Sequence, residues 1–275
     1  MFSVLILTLN EERNLPACLA SLVGCDDIVV LDSGSTDRTS DIAKTAGARV
    51  VERPFINFAD QRNFAHKHIS FKNDWVFHLD ADEQMTVELL RECSNLSAQN
   101  PGGIDGFMVA PRMIYHGRWI PHCTDFPAYQ ARFGHGRRFR FVQVGHGQRE
   151  APEMQLGKIT ANYLHNISAH SDAELEQKHR HYARQEAASF LARPRDAKPL
   201  IFRLLSTDAL VRRRALKAIS QRLPARGALR FLYQYGCRGG FLDGLPGLSY
   251  CNLMARYEHW IAQEIKAQRR NAATV

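Results

Sequence analysis

Trp75-Val-Phe-His-Leu-Asp80-Ala-Asp82-Glu83 decides how this chain is read. Its mostly apolar first half can cross a sheet as a buried strand, and it runs directly into two aspartates. In open α/β sheets, ligands bind at the carboxyl ends of the strands, where this pair would stand. Asp80 and Asp82 are two residues apart. A fully extended chain places both carboxylates on one side, whereas a turn beginning at Asp80 splays them. Oxygen-rich side chains at one point suit a hard divalent cation such as Mg²⁺ or Mn²⁺, and that cation would hold a diphosphate. An isolated Asp-x-Asp also fits a solvated turn, so the segments before it must decide.

Those segments alternate. Val4–Leu9 reads as a strand, Glu11–Leu22 as a helix, Asp27–Asp32 as a second strand and Thr36–Ala46 as a helix closed by Gly47. Ala48–Glu52 is a third strand, Phe58–His68 a helix and Trp75–Leu79 the fourth strand. Alternation at this spacing implies βαβ units and a parallel sheet. Right-handed crossovers then bring Thr8–Glu11, Asp32–Asp37 and Asp80–Asp82 to one sheet edge. Residues 104–165 read as short strands and irregular loops suited to shaping an acceptor site. A helical pattern covers Asp172–Leu191, and a basic helical tail follows from Asp196.

The 275 residues allow one or two domains, and 45% hydrophobic with 23% charged residues is ordinary for a globular protein. No apolar run approaches the ~18 residues of a membrane span. The start, Phe2–Leu9, has the pattern of a first strand rather than of a secretion signal. Six cysteines without a C-x-x-C pair point to reduced thiols and away from a zinc site. The net charge of +8 is uneven: residues 1–194 balance at −2 and residues 195–275 at +10. Such asymmetry calls for an anionic partner, a membrane surface or a nucleic acid.

Around the aspartate pair stand further candidates. In Thr8-Leu-Asn-Glu-Glu12, Asn10 or Glu11 either starts the next helix or hydrogen-bonds a nucleotide base and ribose. Asp32-Ser-Gly-Ser-Thr-Asp37 follows the second strand, where an acidic residue often holds ribose hydroxyls. Arg62, in Gln61-Arg62-Asn63, is either a solvated helix residue or a charge-assisted donor to a diphosphate. Neither a G-x-G-x-x-G fingerprint nor a Walker-type loop is present. A nucleotidyltransferase would normally show a glycine-rich phosphate loop near its start. A nucleic-acid-binding protein would leave strand-end carboxylates that repel phosphate.

Taken in order, Thr8–Leu15, Asp32–Asp37, Gln61–Asn63 and Asp80–Glu83 resemble the inverting family 2 glycosyltransferases of GT-A fold. The Asp-Ala-Asp-Glu form and Gly240-Phe-Leu-Asp-Gly244 resemble, within that family, bacterial glucosyltransferases of the lipopolysaccharide core. The resemblance implies an α/β GT-A domain over residues 1–194 and a basic helical, membrane-proximal extension over 195–275. It implies a UDP-sugar donor held by Thr8, Asn10, Glu11 and Asp32, with Asp80 on the ribose or sugar and Arg62 near the diphosphate. Asp82 would bind Mg²⁺ or Mn²⁺, and His165 in Asn162-Tyr-Leu-His-Asn166 would complete the metal site. Gln130 and Arg132 resemble the family's Gln-x-Arg segment bounding the pocket.

Inversion needs a carboxylate to deprotonate the acceptor hydroxyl, an assistance worth ~10²–10⁴ in rate. Glu150, in Val144-Gly-His-Gly-Gln-Arg-Glu-Ala151, matches the glutamate of the core glucosyltransferase pattern, with Asp125 as its rival. The acceptor implied is a glycolipid or saccharide of an envelope glycan. In Leu200–Ile219, Arg212, Arg213, Arg214 and Lys217 interleave with apolar residues at helical spacing. This stretch is either an in-plane helix on an anionic bilayer, with Phe231, Tyr233, Tyr235, Phe241 and Leu245 as interfacial anchors, or a packed helix with a basic face. Placement on the cytoplasmic face of an inner membrane, without nucleic acid, is the expectation.

Overall fold

The computed structural model of the chain describes residues 1–144, 147–169, 172–192, 205 and 225–274. The basic stretch Leu200–Ile219 and His146 thus lie outside the described residues, apart from Leu205. Contacts divide the chain into two compact units, Met1–His170 and Ser171–Val275.

The first unit opens with β1 (Ser3–Thr8), α1 (Leu15–Ala20), β2 (Ile28–Asp32), α2 (Thr39–Thr45), β3 (Arg49–Glu52), α3 (Phe58–His68) and β4 (Trp75–Asp80). It continues with β5 (Glu83–Met85), α4 (Val87–Gln99), β6 (Gly106–Tyr115), β7 (Arg118–Trp119), β8 (Gln130–His135), β9 (Phe141–Val144), β10 (Gly147–Glu150) and β11 (Leu156–Asn166). Among the described residues the main sheet has the order β3-β2-β1-β4-β8-β6-β11-β5, with β7 against β6. Strands β3, β2, β1 and β4 are mutually parallel; β8 runs against both its neighbours, and β6 and β11 are again parallel. The architecture is therefore the expected mostly parallel α/β sheet of GT-A type, with an antiparallel insertion at β8.

Val4, Leu5 and Ile6 have no exposed surface, which explains why β1 reads as an unbroken apolar run: a parallel strand with covered faces has no polar side. One core combines Phe2, Val4, Ile6, Trp75, Phe77 and Leu79 with Leu15, Leu89 and Tyr163. A second, on the other face, joins Leu5, Val29, Leu31 and Val76 to Ala65 of α3. Helix α3 starts where the Asn57 side chain accepts from the Asp60 N–H at 2.8 Å, and α4 where Thr86 accepts from Leu89 N–H at 3.2 Å.

Helix α1 begins at Leu15 rather than Glu11. Asn10 has φ +56°, the left-handed region, and interrupts the chain before a helix can form. Gly47 closes α2 as expected, its N–H meeting the Lys44 carbonyl at 3.0 Å with φ +81°.

In the second unit α5 (Asp172–Ala192) packs on α7 (Gly244–Thr274). Ala183, Ala187, Trp260, Ile261 and Ile265 form its core. A short α6 (Arg226–Phe231) continues into a π-helical turn, Leu232–Cys237, and a 3₁₀ turn, Gly240–Asp243. Helix α5 thus goes with the following residues, 24 positions ahead of the boundary expected at 194/195, because its apolar face is covered by α7. Among the described residues no helix is long and apolar enough to cross a membrane.

Candidate active site

Register explains why residues far apart in sequence meet. In β1, Thr8 lies beside Asp32 of β2 and Leu7 beside Asp80 of β4, so the three loops leave the same sheet edge.

The first two loops lock together. The Thr8 hydroxyl donates to Asp32 Oδ1 at 2.7 Å, and Asp32 also accepts from the Ser35 N–H (2.7 Å), the Ser35 hydroxyl (2.6 Å) and the Gly34 N–H (3.1 Å). Burial alone would raise the Asp32 pKa, but these bonds, led by those from Ser35, hold it below the ordinary carboxylate range. Asn10 Oδ1 accepts from the Thr36 N–H at 2.8 Å, and the Glu11 N–H donates to Thr39 Oγ1 at 2.8 Å. Asn10 therefore caps no α1 helix; it ties the β1 loop to the β2 loop.

Around Asp80 the arrangement is ionic. Arg62, 1% exposed, donates to Oδ1 at 2.7 Å; Arg132 approaches Oδ2 at 3.3 Å. Arg132 also donates to Glu83 Oε1 at 2.7 Å, and the Asp80 N–H donates to Glu83 Oε2 at 2.9 Å. Burial by itself raises the Asp80 carboxyl, yet Arg132 and Arg62 outweigh it and bring it to about 2. Glu83 has no exposed surface, and its burial pushes its carboxyl upward against the pull of Arg132. With the Gln148 amide oxygen facing Arg62, it accepts from Nη1 at 3.0 Å and Nε at 2.9 Å while the amide nitrogen reaches the Phe58 carbonyl. Arg62 is no solvated helix residue: it is one of the largest fully buried side chains of the unit.

The chain turns directly after Asp80, and the two aspartates separate. Asp82 faces His165, Oδ2 to Nε2 at 3.4 Å. His165 Nδ1 is buried without a hydrogen-bond partner and looks toward Glu83 Oε1 at 3.6 Å. Antiparallel pairing of β5 with β11 sets Glu83 opposite His165. Among the described residues no group of three or more His, Cys, Asp and Glu side chains converges on one point.

A cavity of about 500 Å³ opens over this cluster. Arg62, Asp80, Gln130, Arg132, Gln148 and Glu150 line it, with Phe58, Tyr129 and Phe141 among its apolar walls. Glu150, half-buried on β10, therefore shares a space with the ion cluster; exposed Asp125 is not among the lining residues, nor are Thr8, Asn10, Glu11 and Asp32. Glu83 and Gln148 join the site without having been singled out. Glu83 was visible as the last letter of the Asp-Ala-Asp-Glu string, but Gln148 carries no signal, because it meets Arg62 only through the β9–β10 hairpin.

With this geometry established, likenesses to known proteins acquire a location. The sequence profile of Glycosyl transferase family 2 matches residues 3–146, from β1 through β9. An uncharacterised glycosyltransferase of Rickettsia typhi is 37% identical over 99 residues, 36% of this chain and 33% of its own length. The lipopolysaccharide core biosynthesis glycosyltransferase LpsC of Rhizobium meliloti is 30% identical over 178 residues, 59% of this chain and 62% of LpsC. The chain thus spans about a third of the first of these relatives and under two thirds of the second. Among solved structures, S. aureus TarS 1-349 aligns over 98% of this chain and 91% of its own at 15% identity and TM-score 0.45. Glucosyl-3-phosphoglycerate synthase of Mycobacterium tuberculosis, in complex with Mn²⁺, UDP and glucosyl-3-phosphoglycerate, aligns over 41% and 44% at 27% identity and TM-score 0.34. Because the matched profile covers more than half of the residues and every strand end that carries the Thr8, Asp32 and Asp80 loops, the chain belongs to glycosyl transferase family 2.

Proposed function

We propose that this chain transfers one hexose, glucose in the first instance, from a UDP-sugar to a hydroxyl of a glycolipid or saccharide acceptor. The product would belong to the lipopolysaccharide core or another envelope glycan, made at the cytoplasmic face of an inner membrane. The observation that carries this reading is the Arg62–Asp80–Arg132 cluster opening into the cavity that Glu150 lines. The likeness to LpsC, a lipopolysaccharide core biosynthesis glycosyltransferase, supports the acceptor class.

The two guanidinium groups are already engaged: Arg62 pairs with Asp80, and Arg132 with Asp80 and Glu83, so a diphosphate would have to share them. Asp82 and His165 fit a divalent cation: a carboxylate oxygen and an imidazole nitrogen approach each other, and a second carboxylate, Glu83, stands behind the ring, as it commonly does behind metal-bound histidine. Imidazole favours Mn²⁺ over Mg²⁺. When bound, the cation supplies the positive charge for the departing diphosphate.

In the transfer, Glu150 accepts the proton of the acceptor hydroxyl, whose oxygen forms the new bond to the anomeric carbon from the face opposite the nucleotide. The bond to the β-phosphate oxygen breaks, UDP leaves with the electron pair, and configuration inverts. Arg62 and Arg132 hold Asp80 against the sugar or ribose, while the interlocked Asn10, Glu11 and Asp32 loops shape the nucleotide end.

The test is UDP release from a panel of nucleotide sugars with Mn²⁺, with Mg²⁺ and with EDTA. Release from one donor, abolished by EDTA and by Asp82→Ala, is the expected result. Failure of every nucleotide sugar to bind under all metal conditions would overturn the reading.

A further inference from the structure

Among its described residues the second unit exposes an apolar surface. Between residues 225 and 250 the only acidic residue is Asp243, and it is 2% exposed. On the same segment Leu245 is 81% exposed, Leu232 63%, Leu242 55%, Phe241 54%, Tyr233 48% and Leu229 44%. Single exposed leucines are ordinary, but six large apolar side chains within 17 positions form a patch of the kind that marks a binding surface.

The patch is built rather than loose. A Cβ on Gly227 would stand 2.5 Å from the Ala255 carbonyl oxygen, and one on Gly247 2.4 Å from that of Gly240. The backbones therefore touch at these two points, which fixes the segment closely against α7. Arg226 is buried and pairs with Glu258; Gln234 and Asp243 are buried as well. With the polar groups on the inner side, the outer side is left to the apolar ones. Phe231 stacks on Tyr235 at 5.1 Å between centroids, and Tyr235 meets Phe241 edge-on at 6.3 Å, which joins the π-helical and 3₁₀ turns into one surface.

We propose that this surface, centred on Leu232, Tyr233, Phe241 and Leu245, docks the protein on an anionic lipid bilayer. The argument is charge complementarity. The charged side chains of the segment that are not buried, Arg230 and Arg238, are both cationic. A second copy would bring these like charges together, whereas anionic headgroups meet them with opposite charge. Leucine, phenylalanine and tyrosine beside arginine match the acyl boundary, the interfacial layer and the headgroups respectively. The proposal rests on the lipid-linked acceptor of the preceding reading, since it places an enzyme without a membrane-spanning helix among its described residues at its substrate's surface.

The experiment is co-sedimentation of the full chain with vesicles of phosphatidylcholine alone and of phosphatidylcholine with an equal part of phosphatidylglycerol. The wild type should bind the anionic vesicles better, and salt should weaken that binding. Leu232→Ser/Leu245→Ser should bind at least about tenfold less tightly, while Val23→Ser, which removes an apolar side chain 82% exposed in the first unit, should bind as wild type. Thermal melting should be the same for all three, which separates a lost surface from a lost fold. Unchanged vesicle binding by the double variant would overturn the proposal. So would a wild-type dimer in light scattering that becomes monomeric in the double variant, which would make a second copy the occupant. Equal sedimentation with DNA and with vesicles, both lost in the variant, would also overturn it. Vesicle binding without binding of any nucleotide sugar would sink the transferase reading and leave the surface standing; nucleotide-sugar binding without vesicle binding would do the reverse.

Discussion

Glu83 is the residue on which the site's geometry turns. It is fully buried and joins three groups: the Arg132 guanidinium, the Asp80 backbone N–H and, at longer range, His165. Arg132 stays charged at any relevant pH, so removing Glu83 leaves a buried cation whose one remaining carboxylate partner among the described residues, Asp80, is shared with Arg62, beside two neutral acceptors, the His78 carbonyl and Gln130 Oε1. Glu83→Ala should therefore destabilise the chain by about 3–5 kcal/mol, read from the denaturant midpoint. Glu83→Gln keeps the shape and one acceptor oxygen, enough for Arg132 or for the Asp80 N–H in place but not for both, so Asp80 and Arg132 shift relative to each other. It should fold, with a smaller stability loss and a raised KM for the donor. Equal stability of Glu83→Ala and wild type would show that Asp80, the His78 carbonyl and Gln130 suffice for Arg132. Arg62→Lys tests the same cluster from the other side. Lysine can reach Asp80, but it has no fork with which to satisfy Gln148 as well. A loss in kcat/KM of about tenfold or more is expected, with UDP affinity measured in parallel to locate the defect.

Elements carry their own tests. Helix α3 meets strand β4 through two histidines, His66 Nε2 to His78 Nε2 at 3.0 Å. His66 Nδ1 lies 2.7 Å from the Gly136 carbonyl and must donate to it. In the neutral ring Nε2 is then an acceptor, so His78 donates through its own Nε2 and its buried Nδ1 is left without a partner. Burial lowers the His66 pKa to about 4, with Arg140 and Arg62 adding to it, and burial lowers that of His78 as well. Unfolded histidines titrate near 6.5. At these two rings the folded chain thus binds fewer protons than the unfolded one between pH 6.5 and about 4. Their contribution to stability is fully present above pH 6.5 and declines as the pH falls through that window, by about 1.4 kcal/mol per pH unit for each group, while buried Glu83, whose carboxyl is raised, acts in the opposite sense. His66→Gln should therefore lose less denaturant midpoint between pH 7 and pH 5 than wild type does; an equal change in both would show that His66 does not contribute. A second element-level test concerns strands β6 and β8. The Phe139 ring lies on Gly106 and Gly134, where an added Cβ would stand 2.6 and 2.7 Å from ring carbons. Gly134→Ala should cost about 1–3 kcal/mol, read from the denaturant midpoint, because the new Cβ meets Phe139 at Cγ and Cβ, atoms that cannot move without shifting the residue.

Over the whole molecule, the legible parts were those set by local pattern. The strands before β5 were readable because their apolar runs alternate with helices, and register then follows from the parallel arrangement. Thr8, Asp32 and Asp80 were legible as a cluster for that reason. The Glu83–Arg132 and Arg62–Gln148 contacts were not, since each joins residues tens of positions apart through strands of mixed direction. The start of α1 was misplaced because helix propensity says nothing of a left-handed Asn10 bound to another loop. The place of α5 was equally hidden: its residues read as a helix, but the apolar face that decides its unit is matched by Trp260, Ile261 and Ile265, seventy and more positions later. Each unit consequently owns a separate apolar core, and that separation is testable. Trp260 fills the core of the second unit beneath two guanidinium groups, Arg180 at 4.4 Å and Arg256 at 5.2 Å from its ring centroid. Trp260→Ala removes both contacts and the buried ring, a loss of about 3–5 kcal/mol. Chains with two cores need not unfold in one step. Calorimetry should show an earlier transition in the variant, while UDP affinity, which the proposed function assigns to groups of the first unit, should stay within about twofold of wild type. A joint fall of UDP affinity and of the whole melting curve would mean that the two cores form one cooperative structure.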